Sequence, residues 1–357
     1  MEHGVEAAAA ISFIQIDGTV VLALVVLGFF GGLLSGFIGS GGAFVLTPGM
    51  MSLGVDGVVA VASNMAHKFP KAIVGVLKRR KLGHFDLRLC ILMVIPAIAG
   101  VVVGIYVQRL ILETWGKAGS NLYISLIFVG VLSIVGIYTL LDGRNAARSG
   151  IDDTTSPLAE KVKKINIWPM VNLKEANSTV SLWIPLPLGF ATGLLAATIA
   201  VGGFIGVPSM IYVVGAPSFV ASGTELGIAF GMGLTGAFTW ATAGFVDFRL
   251  TALILAGSLV GVQVGAIGTS YVRPYMIKIV SGTVMILAGV SRAIVIPTYL
   301  SDLDMVTISD GIYGSLKTAS LVLLFATLIG CGFLIVGAMY KGKRSVDVRS
   351  RTQVQLS

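Results

Sequence analysis

The sequence predicts an all-α, polytopic integral membrane protein made of two inverted repeats of about five segments each, with short broken helices, plus one extra C-terminal helix. Three observations predict it. Of the 357 residues, 55% are apolar and only 12% are charged, with a mean hydropathy of +0.92, whereas soluble domains carry about 25% charge. Apolar runs of about 20 residues, the length that crosses a bilayer, recur from residue 19 to residue 340. The second half of the chain also repeats the first at a constant offset.

The spanning runs fall at 19–38, 57–77, 88–108, 121–141, 182–200, 217–243, 250–271, 276–297 and 318–340. Two further runs, 43–54 and 203–214, are too short to span alone. Each follows a Gly-Gly pair and holds a proline: Gly41, Gly42 and Pro48 in one, Gly202, Gly203 and Pro208 in the other. The predicted organisation is a first membrane repeat at 19–141, a cytoplasmic linker at 142–181, a second membrane repeat at 182–297, an extra transmembrane helix at 318–340 and a basic cytoplasmic tail at 341–357.

Displacing the sequence against itself by 161 residues puts Gly28-Phe29 on Gly189-Phe190, Gly32-Leu33-Leu34 on Gly193-Leu194-Leu195, and Gly41-Gly42 on Gly202-Gly203. The same offset pairs Ser63 with Thr224, and Gly83, Asp86, Arg88 and Leu89 with Gly244, Asp247, Arg249 and Leu250. It still holds where Gly100 and Gly104 meet Gly261 and Gly265. Apolar composition produces chance matches of Gly and Leu, but not an unbroken offset that also aligns Asp and Arg in the same turn.

If the short runs count as crossings, each copy has five and the second copy lies upside down. The charges favour that arrangement. Lys78, Arg79, Arg80, Lys81 and Arg88 surround the first connecting loop, whereas its counterpart holds only Asp247 and Arg249. With Lys161, Lys163 and Lys164 of the linker in the cytoplasm, Asp302, Asp304 and Asp310 fall outside and the Lys341 to Arg351 tail inside, which satisfies the positive-inside rule. The acidic N-terminus is then external, and residues 1–18, with no Lys or Arg, do not resemble a cleavable signal peptide. The net charge of +8 reads as a topology signal, so no nucleic-acid partner is expected.

Glycine-broken segments at matching places in inverted copies point to a transporter binding site near the midplane. Amides freed at a helix start can hydrogen-bond an anion, and glycine permits close approach. On that ground Gly41, Gly42, Gly202 and Gly203 are candidate site residues, while Gly28, Gly32, Gly100 and Gly104 read as helix-packing residues. A second signal is the run SNMAHKFPK, in which Asn64, His67, Lys68 and Lys71 share one helix face. Polar groups at that depth are costly and face a cavity or a partner. The candidate substrate-binding set is therefore Gly41, Gly42, Gly202, Gly203, Ser63, Asn64, His67, Lys68, Thr224 and Glu225. Glu225, the offset partner of Asn64, is a candidate coupling group or counter-charge for Lys68, and Lys71 is close enough to the cytoplasmic end to snorkel.

The remaining polar residues read as structural. Asp86 with Arg88 and Asp247 with Arg249 are expected to cap helices and form local ion pairs, and Arg292 is expected to be an interfacial anchor. Cys90 and Cys331 sit apart in apolar segments. His3, His67 and His84 form no metal-ligand spacing, and no Walker loop or catalytic triad emerges, so neither metal, cofactor nor catalysis is expected.

The stretches LLSGFIGSGGAFVLTP and LLAATIAVGGFIGVP, each followed by small residues ending in Ser63 or Thr224 and by a Gly-x-x-Asp turn, resemble the TauE/SafE sulfite exporter family of membrane permeases over roughly residues 20–297. The long linker, the extra C-terminal helix and the AHKFPK run depart from the simplest family pattern. The resemblance implies a multi-pass protein of the cell inner or plasma membrane that moves sulfite, a sulfonate or a related organosulfur anion. The partners it implies are that small anion and the lipid bilayer; a homo-oligomer stays open. An anion channel is the alternative within the same architecture, and a membrane-embedded enzyme would need a catalytic constellation.

Overall fold

The computed structural model describes residues 13–38, 42–81, 83–149, 157–165, 167–269 and 271–355. Helix α1 (Gly18–Ile38) starts where Asp17 accepts hydrogen bonds from the Val20 N–H at 2.8 Å and the Thr19 hydroxyl at 2.7 Å. The Val20 amide, seconded by that hydroxyl, holds the carboxyl below the usual carboxylate range. The short α2 (Ala43–Ser52) doubles back along α1, with Leu46 against Gly31 and Gly49 against Leu27. Then come α3 (Gly57–Lys81) and α4 (Leu87–Ser149), the latter in two arms that meet at Gly116, φ 64°. The two predicted spans 88–108 and 121–141 lie in those arms.

The linker holds α5 (Pro157–Lys163) and an antiparallel hairpin of β1 (Met170–Leu173) and β2 (Ser178–Ser181). The second half comprises α6 (Pro185–Ile199), α7 (Gly203–Ser209) continued by a π-helical turn over Met210–Val214, α8 (Ser218–Thr242), α9 (Phe248–Thr269) and α10 (Pro274–Asp302). Helix α11 (Asp310–Gln355) follows and runs beyond the predicted span 318–340. By length and apolar composition, five of the described helices, α1, α4, α9, α10 and α11, are able to cross a bilayer.

The offset seen in the sequence recurs in the backbone. Helices α3 and α8 are each 25 residues long, and left-handed glycines close equivalent turns at Gly54 and Gly215 and at Gly83 and Gly244.

Glycines set how these helices meet. On α1, Gly28, Gly32 and Gly36 lie against the backbone of Ile254, Ser258 and Val262 on α9, so the two helices run in the same direction. In the equivalent contact, Gly189 and Gly193 of α6 lie against Met93 and Ala97 of α4, again in the same direction. The central pair runs oppositely: Met65 of α3 touches Gly236 of α8, Phe69 touches Gly233, and Gly75 touches Leu226. The second arm of α4 and α10 also run oppositely, since Leu132 faces Gly289 and Gly143 faces Lys278. Gly28, Gly32, Gly100 and Gly104 are thus the packing residues that their spacing predicts.

The repeated Asp-x-Arg turns do less alike work than the sequence suggests. Asp247 pairs with Arg249 at 2.8 Å as expected. Asp86 instead accepts the Leu89 N–H at 3.0 Å and, through its other oxygen, the Glu175 and Ala176 amides at 3.1 and 3.2 Å. Arg88 donates to the Asn172 carbonyl at 2.9 Å. The linker hairpin takes the bonds that an Asp86–Arg88 pair would have made, because its turn brings backbone donors to a fully buried carboxylate.

Candidate substrate site between the central helices

Helix α3 brings Ser63, Asn64, His67, Lys68 and Lys71 to the middle of the bundle, and the antiparallel α8 brings Thr224 and Glu225. Ser63, Asn64, His67, Thr224 and Glu225 are all buried. Lys68 and Lys71 are half-buried.

Ser63 and Thr224 tie the two copies together. The Ser63 hydroxyl accepts the Asp247 N–H at 3.1 Å, and the Thr224 hydroxyl accepts the Asp86 N–H at 3.0 Å. Each copy therefore satisfies the helix start of the other, where backbone N–H groups lack intrahelical partners. Asn64 donates through Nδ2 to the Thr47 hydroxyl of α2 at 2.9 Å. Its offset partner Glu225 places a carboxylate oxygen over Gly206 of α7, where even a methyl group would collide with it. Each of these two polar residues thus addresses the short helix of its own copy.

Lys68 is near enough to Glu225 for their charges to attract, and His67 lies within the fields of both Lys68 and Lys71. Among the described residues, neither ring nitrogen of His67 and neither oxygen of Glu225 has a hydrogen-bond partner. Buried polar atoms are rarely left so, which makes this cluster the candidate site. Lys71 does not snorkel. Its ammonium donates to Ser35 of α1 at 3.1 Å and to Ser258 of α9 at 3.4 Å. Spacing along α3 gave no sign of this, because the serines come from two other helices.

The starts of the two short helices meet. The rings of Phe44 and Phe204, at the starts of α2 and α7, pack edge to face with centroids 4.4 Å apart. Gly42 is buried with the Gly31 carbonyl in the space a side chain would need, so its lack of a Cβ serves the packing of α2 on α1. Gly202 precedes α7 beside Met232 and Ala196, and Gly203 is its buried first residue. Gly41 lies outside the described residues.

Arg292 is not at an interface. It is 1% exposed, and its Nη2 donates to the hydroxyls of Ser52, the last residue of α2, and of Ser320 on α11. The apolar run around it suggested a helix end, but α11 covers that face. Among the described residues no group of three or more His, Cys, Asp or Glu side chains is placed to hold a metal.

A family model described as "Sulfite exporter TauE/SafE" matches residues 24–292. The Bacillus subtilis (strain 168) protein YjnA, named "Probable membrane transporter protein", is 24% identical over 268 residues, 75% of this chain and 98% of that one. A second protein of that organism with the same description, YunE, is 23% identical over 279 residues, 74% of this chain and 94% of its own. No solved structure matches. The matched region takes in both glycine breaks and the whole charged cluster, and this multi-pass membrane protein belongs to the sulfite exporter TauE/SafE family of membrane transporters.

Proposed function

We propose that the protein is a secondary transporter that carries a small anion, sulfite or an organosulfonate, across the cell inner or plasma membrane. The observation that carries this reading is the cluster of His67, Lys68 and Glu225 between α3 and α8, whose imidazole and carboxylate have no hydrogen-bond partner among the described residues, together with the meeting of the two short helices. The family to which the chain belongs supplies the choice of sulfite.

In this reading Lys68 is the counter-charge of the anion, and Asn64 and His67 offer neutral hydrogen bonds. Ser63 and Thr224 each accept one bond and keep a hydroxyl proton to donate. In this reading Gly42 before α2, and Gly202 and Gly203 at the start of α7, offer backbone amides to the anion. When the anion takes Lys68, the Glu225 carboxylate loses its counter-charge and must gain a proton or a cation, because an uncompensated charge at this depth is costly. Anion movement is thereby coupled to a cation. The opposed directions of α3 and α8, and of the second arm of α4 and α10, support two inverted copies with the site on the axis between them.

The test is uptake and efflux in proteoliposomes across sulfite, sulfate, thiosulfate and small sulfonates. Saturable movement of sulfite or a sulfonate is expected. Lys68→Met keeps the stem and removes the charge, so it should insert normally yet lose about tenfold or more in affinity, the worth of a hydrogen bond to a charged group. Folded Lys68→Met protein with unchanged affinity would remove Lys68 from the site.

A further inference from the structure

Two short helices end at opposite reaches of α10, and each end is held by a polar cluster that the binding site does not use. The π-helical turn after α7 presents Tyr212, whose hydroxyl donates to Asp142 Oδ2 at 2.8 Å. Asp142, on the second arm of α4, also pairs with Lys278 of α10 at 3.0 Å. The linker helix α5 packs on the same turn. At the other reach, Arg292 of α10 holds the Ser52 hydroxyl at the end of α2 and the Ser320 hydroxyl of α11. Ser320 in turn exchanges hydrogen bonds with Ser291 at 2.8 Å. Lys278 and Arg292 are 14 residues apart in one helix, about 21 Å at 1.5 Å per residue.

We propose that Asp142, paired with Lys278 and bonded by Tyr212, and Arg292, bonded to Ser320 and to Ser52, are two latches seated at opposite reaches of α10, which hold the ends of α7 and α2 closed towards opposite sides of the membrane. This rests on the transporter reading above. Burial alone does not account for the Arg292 cluster: a guanidinium 1% exposed faces Ser52, Ser320 and Tyr299. No carboxylate pairs with it among the described residues, and Nε and Nη1 lack hydrogen-bond partners there. A bound anion is a poor substitute at this point, since the carbonyl end of α2 already complements a cation and repels an anion. The unspent donors let the guanidinium re-pair as the end of α2 moves. Asp142 likewise holds two partners, one on the moving turn and one on the fixed helix, so Tyr212 can leave while the ion pair stays.

The test reads sidedness and needs no substrate. In a chain with Cys90 and Cys331 replaced by Ala, reporter substitutions Met50→Cys on α2 and Ser209→Cys on α7 start from buried positions. Each is labelled with a membrane-impermeant maleimide in right-side-out and inside-out vesicles. Arg292→Gln should raise labelling of the α2 reporter from the face opposite the linker by about fivefold or more, the shift that a coupling of roughly 1 kcal/mol gives. It should leave the α7 reporter unchanged. Asp142→Asn should raise labelling of the α7 reporter from the linker face and leave the α2 reporter unchanged. Ser320→Ala and Tyr212→Phe repeat the comparison with less risk to folding. Equal increases at both reporters mean general loosening and overturn the proposal, as does no change at either. One-sided labelling in a protein that moves no sulfur anion would keep the latches and remove the substrate.

Discussion

Ala200 ends α6 with φ 58° and ψ 20° and is fully buried, in a conformation that costs an L-residue roughly 1–2 kcal/mol. The first copy has Gly39, a residue without a Cβ, at the equivalent sequence position. The second copy therefore holds strain directly before its glycine break. Ala200→Gly should leave thermal stability in detergent unchanged or raise it by up to about 1 kcal/mol, because glycine's extra unfolded-state entropy offsets part of the relief. Ala200→Val, β-branched and buried, should lower it clearly. Thermal unfolding of the purified variants checks the pair, and a valine variant as stable as the parent would show that the strain is absent. At this scale the sequence was a partial guide. It marked His67, Lys68 and Glu225 by their chemistry in apolar surroundings. It could not mark Lys71 as anchored, because Ser35 and Ser258 are unremarkable until α1 and α9 bring them to one ammonium.

Between elements, glycine decides the approach of helices that have little else to hold them. Lipid tails are as apolar as leucine, so close backbone contact and packing carry the association. Gly261 of α9 accepts the Phe29 carbonyl of α1 into the space of its missing side chain, and Gly100 of α4 does the same with the Phe190 carbonyl of α6. These are equivalent contacts under the 161-residue offset, so Gly261→Ala and Gly100→Ala should cost similar amounts, about 1–3 kcal/mol as for overpacking elsewhere. Gly130, with open space around it, is the control whose alanine variant should be neutral. Unfolding temperatures of the three test this, and a neutral Gly261→Ala would mean the helices part without cost. The offset made these contacts legible as a pattern, since Gly100 and Gly104 recur as Gly261 and Gly265. The partner helix was not legible, because a repeat says which residues are equivalent and not which ones touch. The same limit hid the exchange of hydrogen bonds in which Ser63 serves Asp247 and Thr224 serves Asp86.

For the whole molecule, helix directions and surface charge bear independently on the same question. Arg79 at the end of α3 and His84 in the loop after it pack on Gly223 near the start of α8, and Asp86 and Arg88 hold the linker hairpin on that face. The opposite face receives Arg249, which donates to the Ile14 carbonyl at 3.4 Å, so residues 13–17 lie there. In the second half of α11, Ile335 and Met339 reach Gly268, at the end of α9 remote from Arg249. The chain therefore directs its basic loop, its linker and the start of the Lys341 to Arg351 segment to one face. A cytoplasmic face enriched in Lys and Arg is what sets orientation. The prediction is an external N-terminus and a cytoplasmic C-terminus, with the two repeats inverted. A tag fused ahead of residue 1 should react with an impermeant reagent in intact cells, and a tag after residue 357 only once the membrane is opened. Both tags reacting from one side would mean an even number of crossings, which two inverted copies of five segments and one further helix cannot give.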